Sequence, residues 1–180
     1  MRAFIAVSID PAEMMRPLHR ALGRLGQSVR AVPLENLHLT LRFLGDTDDE
    51  MTPRIREVIE TALVDARPFA VSLTGVGAFP TPRRPNVVWV GVEHDDRFDP
   101  IVRRLDEALE PLGWPLPSKP WQAHVTVARV KRRPPDELAQ IMKAHREHEF
   151  GMLQVEAVHL VRSTLSREGA TYERVVTVAL

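Results

Sequence analysis

The pattern His-apolar-Thr-apolar occurs twice in this chain, as HLTL from His38 and as HVTV from His124. Residues two apart on a β-strand point to the same face, about 6.6 Å from each other. Each copy therefore sets an imidazole beside a hydroxyl on one side and two aliphatic side chains on the other. Leu39 and Leu41, or Val125 and Val127, anchor the strand in a core, and His and Thr are left on the opposite surface. Seven histidines and ten threonines in 180 residues give about 0.08 chance matches. A single such histidine is usually structural or solvent-facing, and only the recurrence makes the pattern candidate chemistry.

Around the two motifs strands and helices alternate. Residues 3–9 read as a strand, followed by a helix from Asp10-Pro11 to about Leu25. Residues 37–44 form a strand beneath a Gly45-Asp46 turn, and Asp48 and Asp49 open a helix to about Ala66. Strands follow at 69–76 and 87–92, separated by the loop GAFPTPRRPN. A helix runs from Asp99-Pro100 to near Gly113, and the proline-rich WPLPSKP leads into a strand over 122–130. A weaker helix at 134–147 precedes two closing strands, 152–162 and 171–178, joined across Ser166 to Gly169. Each half holds one His-Thr strand, a faint internal duplication that predicts two similar lobes facing across a cleft in one domain over residues 1–180.

Lys plus Arg and Asp plus Glu both number 24, so no global field exists to hold a long polyanion indiscriminately. Without cysteine, disulfides, thiolate nucleophiles and cysteine-ligated zinc are excluded. The first residues, MRAFIAVSID, show neither a signal peptide nor a membrane span, which makes the cytoplasm the expected compartment.

Two histidines on separate strands suit the opening of a cyclic phosphate by water. One removes a proton from the nucleophile while the other protonates the leaving oxygen across phosphorus, each contributing about 10²–10⁴-fold. An imidazole near pKa 6.5 serves either role at neutral pH. Thr40 and Thr126 supply hydroxyl donors to the nonbridging oxygens. Strict alternation puts Arg42 on the face of His38 and Thr40, as a phosphate ligand, whereas Arg129 reaches the site only through a bulge or strand end. Phe79 and Trp121, read as a loop residue and a strand entry, are the candidates for base stacking. Trp89 and Tyr172 read as core. Arg83 and Arg84, with Lys131, Arg132 and Arg133, are solvated charge or a guide for an RNA backbone. His19, His94, His145, His148 and His159 lack the threonine partner and read as surface or core residues. His145 and His148 share a helix face without the HExxH pattern of a zinc site.

These motifs resemble the two-histidine phosphoesterase superfamily, and within it the bacterial RNA 2',3'-cyclic phosphodiesterases, also called 2'-5' RNA ligases. The similarity covers nearly the whole chain: RAFIAVSID, ENLHLTLRFLGD, GVGAFPTPRRPNVVWVGV, WQAHVTVARV and LVRSTLSREGATYERV. The resemblance implies an α+β fold of two RRM-like lobes with antiparallel sheets around a cleft, with His38 and His124 as catalytic residues and Thr40 and Thr126 at the phosphate. It adds Arg129, because the family commonly carries an arginine after its second motif, and lends no such support to Arg42. Ala123 stands where the family often has proline, a difference of strand entry.

The implied substrate is RNA ending in a 2',3'-cyclic phosphate, tRNA fragments included. The implied product is a 2'-phosphate, with reversible 2'-5' ligation in some members and no metal or cofactor. A monomer is the expected state. For a 2'-phosphate, water must displace the ribose 3'-oxygen. We assign His38 as the acid for that oxygen and His124 as the base for water, roles the sequence leaves exchangeable. Two other readings compete, a noncatalytic nucleotide or RNA-end binding module and a histidine-ligated metal hydrolase.

Overall fold

A computed structural model describes residues 1–93, 95–167 and 169–180, with the backbone alone at Asp95. His94 therefore lies outside the described residues, as does Glu168 within the final connection. Nine strands form: β1 (Arg2–Ser8), β2 (Val29–Ala31), β3 (His38–Asp46), β4 (Phe69–Thr81), β5 (Arg84–Glu93), β6 (His124–Val130), β7 (Glu149–Val155), β8 (Ala157–Leu165) and β9 (Ala170–Ala179). Four helices accompany them: α1 (Arg16–Gly23), α2 (Thr52–Ala62), α3 (Asp99–Leu109) and α4 (Asp136–Ala144).

The strands join as one antiparallel sheet in the order β7-β4-β5-β6-β3-β1-β8-β9, with β2 added beside β6. Strands β7-β4-β5-β6 make one half and β3-β1-β8-β9 the other. The halves meet where the two His-Thr strands touch, through the pair Leu39 and Val125. Helices cover the opposite face. Ile55, Val58, Ile59 and Ala62 of α2 and Ile101, Val102, Leu105 and Leu109 of α3 recur at helical spacing and are buried. They share one core with Leu39, Leu41, Val125 and Val127. The Asp48 carboxylate accepts from the Glu50 backbone N–H and caps the turn that leads into α2.

Four sequence expectations change. The helix expected from Asp10 is a 3₁₀ segment over Ala12–Met15 followed by α1, whose first turn holds Pro17; that residue has no N–H to extend a helix from upstream. Gly45 is not in a terminal turn but inside β3, at φ +70°, where the register against β1 shifts by a residue. The expected long loop is almost wholly strand, since β4 and β5 form a hairpin with Thr81 opposite Arg84. Its prolines are tolerated because Pro80 and Pro85 face each other beyond the stretches that pair with β7 and β6, where no ladder N–H is required. Finally, the strand expected over 152–162 is two, β7 on β4 and β8 between β1 and β9, separated at Glu156. Among the described residues no helix is long and apolar enough to cross a membrane.

Candidate active site

Leu39 and Val125, both fully buried, are paired antiparallel. One step to either side, this pairing sets His38 across from Thr126 and Thr40 across from His124, on the face away from the core. Directly opposed residues stand about 4.5–5.5 Å apart at Cβ. Two motifs far apart in sequence thus become one quartet of two imidazoles and two hydroxyls.

Both rings are fixed in the same way. The Nδ1 of His38 lies 2.7 Å from the carbonyl oxygen of Asn36, and that of His124 lies 2.8 Å from the carbonyl oxygen of Gln122, in each case two residues earlier. A carbonyl only accepts, so Nδ1 carries the proton and Nε2 is the nitrogen left for chemistry. Aromatic rings hold the imidazoles. Phe4 stacks on His38 at 4.7 Å and Tyr172 meets it edge-on at 5.1 Å, while Phe79 meets His124 edge-on, also at 5.1 Å. Behind Phe79 lies Trp89 at 5.3 Å, whose indole rests over Gly77, where an added Cβ would stand 2.4 Å from its ring carbons. Glycine is needed there for close approach.

Burial pushes the His38 imidazole below its ordinary range; the Asn36 hydrogen bond opposes this, and the positive charges of Arg129 and His124 add to the lowering. Arg129 and His124 thus stand close enough for their charges to bear on His38.

Arg129 gets there through a bulge. Across the β5–β6 ladder Trp89 pairs with Thr126 but Val88 with Ala128, leaving Val127 as an extra residue. Val127 and Ala128 are both buried, and Arg129 emerges exposed on the histidine face. Strand β3 carries the matching irregularity. Thr40 pairs with Ala6 but Arg42 with Ile5, so Leu41 is the extra residue.

The expected placement of Arg42 beside His38 and Thr40 is thereby corrected. Arg42 shares the side of fully buried Ile5, its Nε lies 2.9 Å from Asp106 Oδ1, and it donates to the Pro115 carbonyl. Burial raises the Asp106 pKa and the Arg42 charge opposes that. Phe43 takes the position on the histidine face that Arg129 takes on β6. It is 67% exposed and packs at 6.2 Å on Phe4. Sequence reasoning missed Phe4 and Phe43, because only the β1–β3 register, which pairs them, shows that both lie on the histidine face.

Two cavities flank the quartet. One, of about 870 Å³, is walled by Thr40, Arg42, Phe43, Phe79, Trp121 and His124. The other, of about 340 Å³, is walled by Arg30, Asn36, Arg129, Lys131 and Tyr172. His38 and Thr126 line neither wall; His38 touches Asn36 and Tyr172 of the second and precedes Thr40 of the first on its strand. Phe79 thus sits at the site, on a strand instead of the expected loop. Trp121 faces the same cavity and also braces the fold: its indole N–H donates to the Thr40 carbonyl at 3.0 Å and its ring packs on Phe98. Trp114 likewise donates to the Leu44 carbonyl at 2.9 Å, so with the Arg42 bond to Pro115 the proline-rich connection and its exit are bound to β3 at three points.

Of the other histidines, His159 is buried, with Nδ1 2.9 Å from Thr177 Oγ1. His145 and His148 follow the end of α4 instead of sharing a helix face, with ring centroids 5.3 Å apart. Among the described residues no three His, Asp or Glu side chains gather as a metal site.

The α+β fold thus carries paired imidazoles and hydroxyls at the central junction of one antiparallel sheet. Residues 24–167 match the family model described as the 2'-5' RNA ligase superfamily, and the chain belongs to that family. An Archaeoglobus fulgidus protein named RNA 2',3'-cyclic phosphodiesterase is 38% identical over 96% of this chain and 97% of its own. A protein of the same name from Methanothermobacter thermautotrophicus is 36% identical over 96% and 95%. Among solved structures, a Thermus thermophilus protein superposes with a TM-score of 0.80 at 28% identity, covering 100% of this chain and 98% of its own. Escherichia coli LigT complexed with 3'-AMP shares the fold, with a TM-score of 0.75 at 22% identity over 99% and 97%.

Proposed function

We propose that this chain is an RNA 2',3'-cyclic phosphodiesterase, opening a 2',3'-cyclic phosphate at an RNA end to leave a 2'-phosphate, without a metal. The cross-strand quartet carries this reading: two imidazoles with free Nε2 atoms and two hydroxyls on a single face. The names of the archaeal relatives support it. In this reading the two halves of the sheet are the two lobes of one domain, with the phosphate at their junction.

His124, whose hydrogen bond to Gln122 is exposed, takes a proton from the attacking water. As the water oxygen bonds to phosphorus, the bond to the ribose 3'-oxygen breaks and His38 protonates that oxygen. His38 is shielded by Phe4 and Tyr172. Its lowered pKa makes the imidazolium a strong donor, and the incoming phosphate anion between the rings favours loading the proton. Thr40, Thr126 and Arg129 hold the nonbridging oxygens, Arg129 with a guanidinium that matches phosphate. Arg42, its charge met by Asp106, supports the wall of the site. Phe43 and Phe79 offer faces to the terminal base. With a ribose 5'-hydroxyl in place of water as the nucleophile, the same ring opening, again expelling the 3'-oxygen, would form a 2'-5' linkage.

The test is incubation of the purified protein with RNA ending in 2',3'-cyclic phosphate, in EDTA, with product identification. A 2'-phosphate is expected. Binding of the RNA without conversion under any condition would replace this reading with a noncatalytic binding module, and activity abolished by chelator and restored by a divalent ion would replace it with metal catalysis.

A further inference from the structure

A second groove, of about 1010 Å³, lies between the tip of the β4–β5 hairpin and α4. Arg83 comes from the tip, Arg133 from the segment after β6, and Lys143 and Arg146 from the end of α4 and the turn beyond it. Sequence shows these four as scattered charge in a chain of zero net charge. The fold gathers them about one cavity with a single carboxylate, Asp136, among its lining. All four are exposed, and none has an ion-pair partner among the described residues.

The groove has a firm floor. Val76 N–H donates to the His145 carbonyl at 3.0 Å and Gly75 N–H to the His148 carbonyl at 2.8 Å, pinning the turn that carries Arg146 against β4. The β4–β5 hairpin ties the groove to the catalytic cavity. The same hairpin tip lines both, Phe79, Pro80 and Asn86 on the catalytic cavity and Thr81, Pro82 and Pro85 on the groove.

We propose that this groove binds the single-stranded RNA body upstream of the reacting end, its cations contacting backbone phosphates while the hairpin tip guides the strand from the catalytic cavity. The inference rests on the proposed activity and deepens it: the preferred substrate is an oligonucleotide, not a cyclic mononucleotide. Unpaired cations fit a chain of phosphates, and a groove within reach of the scissile end gives them a partner covalently joined to it.

The test compares two substrates, adenosine 2',3'-cyclic phosphate and a single-stranded RNA of about twelve nucleotides with the same terminus. The variant carries Arg83→Glu, Arg133→Glu, Lys143→Glu and Arg146→Glu, with the four glutamine replacements as a second variant should the first fail to fold. The expected result is a KM for the RNA raised by about tenfold or more and a log KM against log salt slope reduced by up to about three, roughly 0.7 per lost phosphate contact. Turnover of the cyclic mononucleotide should stay unchanged. An unmoved KM and salt slope would overturn the proposal and leave the groove to another anionic partner such as an acidic protein; equal losses on both substrates would overturn it in favour of a role in folding. Fluorescence anisotropy with RNA ending in 3'-hydroxyl reads the groove independently of catalysis. If the wild type opens neither substrate, the activity reading fails, whereas RNA affinity that is present in the wild type and lost in the variant would still uphold the groove.

Discussion

Leu39 of β3 and Val125 of β6 are paired across the middle of the sheet, both fully buried, and this contact brings the two histidine motifs together. Truncating either side chain tests the arrangement. Leu39→Ala should cost about 2–5 kcal/mol of stability in denaturant unfolding, as for other buried leucines. It should also lower kcat more than it raises KM, because the seam aligns the rings and forms little of the cavity wall. A variant that is destabilised but fully active would show that the quartet does not depend on this pair.

Loss of either imidazole should remove acid or base assistance while leaving the fold intact. His38→Ala and His124→Ala are each expected to reduce kcat by about 10²–10⁴-fold with an unchanged circular dichroism spectrum. A cyclic substrate with sulfur in place of the ribose 3'-oxygen separates the roles, since thiolate leaves without a proton donor. It should restore much of the rate in His38→Ala and little in His124→Ala; the opposite pattern would exchange the assignment.

The pH dependence follows from the shift at His38. Its imidazole lies below the ordinary range, so the acidic limb of the kcat/KM profile should fall below pH 6.5, the unperturbed imidazole value. The limb appears there whichever histidine is the acid, because a product of two fractions is symmetric in the roles. An acidic limb at or above the ordinary value would contradict a buried His38.

Stability should move with pH for the same reason. Burial lowers both His38 and His159, with the charge of Arg174 adding to the effect at His159. Below the unfolded value near 6.5 the unfolded chain binds more protons than the folded one, so stability falls as pH drops from that value toward the folded pKa values and is fully present above it. Chemical denaturation between pH 7.5 and about 5 measures this, and His159→Gln should flatten the slope.

The two arginines should behave differently. Arg129→Ala is expected to lower kcat/KM by about 10- to 150-fold, the loss of a charged hydrogen bond of roughly 1.5–3 kcal/mol, with little change in melting temperature. Arg42→Ala should chiefly destabilise, because it leaves Asp106 without its partner. If Arg42→Ala reduced kcat/KM as strongly at unchanged stability, the guanidinium would belong to the phosphate and not to Asp106.

Much of this was legible in the residues. The alternation of His and Thr against buried aliphatics on two strands is a local property, so HLTL and HVTV declared their exposed and buried faces before any fold was known. The helical spacing of Ile55, Val58, Ile59 and of Ile101, Val102, Leu105 did the same for α2 and α3. Residue periodicity could not show where that alternation breaks. The extra residues at Leu41 and Val127 exist only because β1 and β5 hold their neighbours in register on both sides. They turn Arg42 away from the histidines and bring Arg129 toward them. Sequence by itself determined which side chains are equipped for the chemistry. Pairing between strands distant in the chain decided which of them meet, because backbone hydrogen bonds to a neighbouring strand set the facing of every residue beyond a bulge.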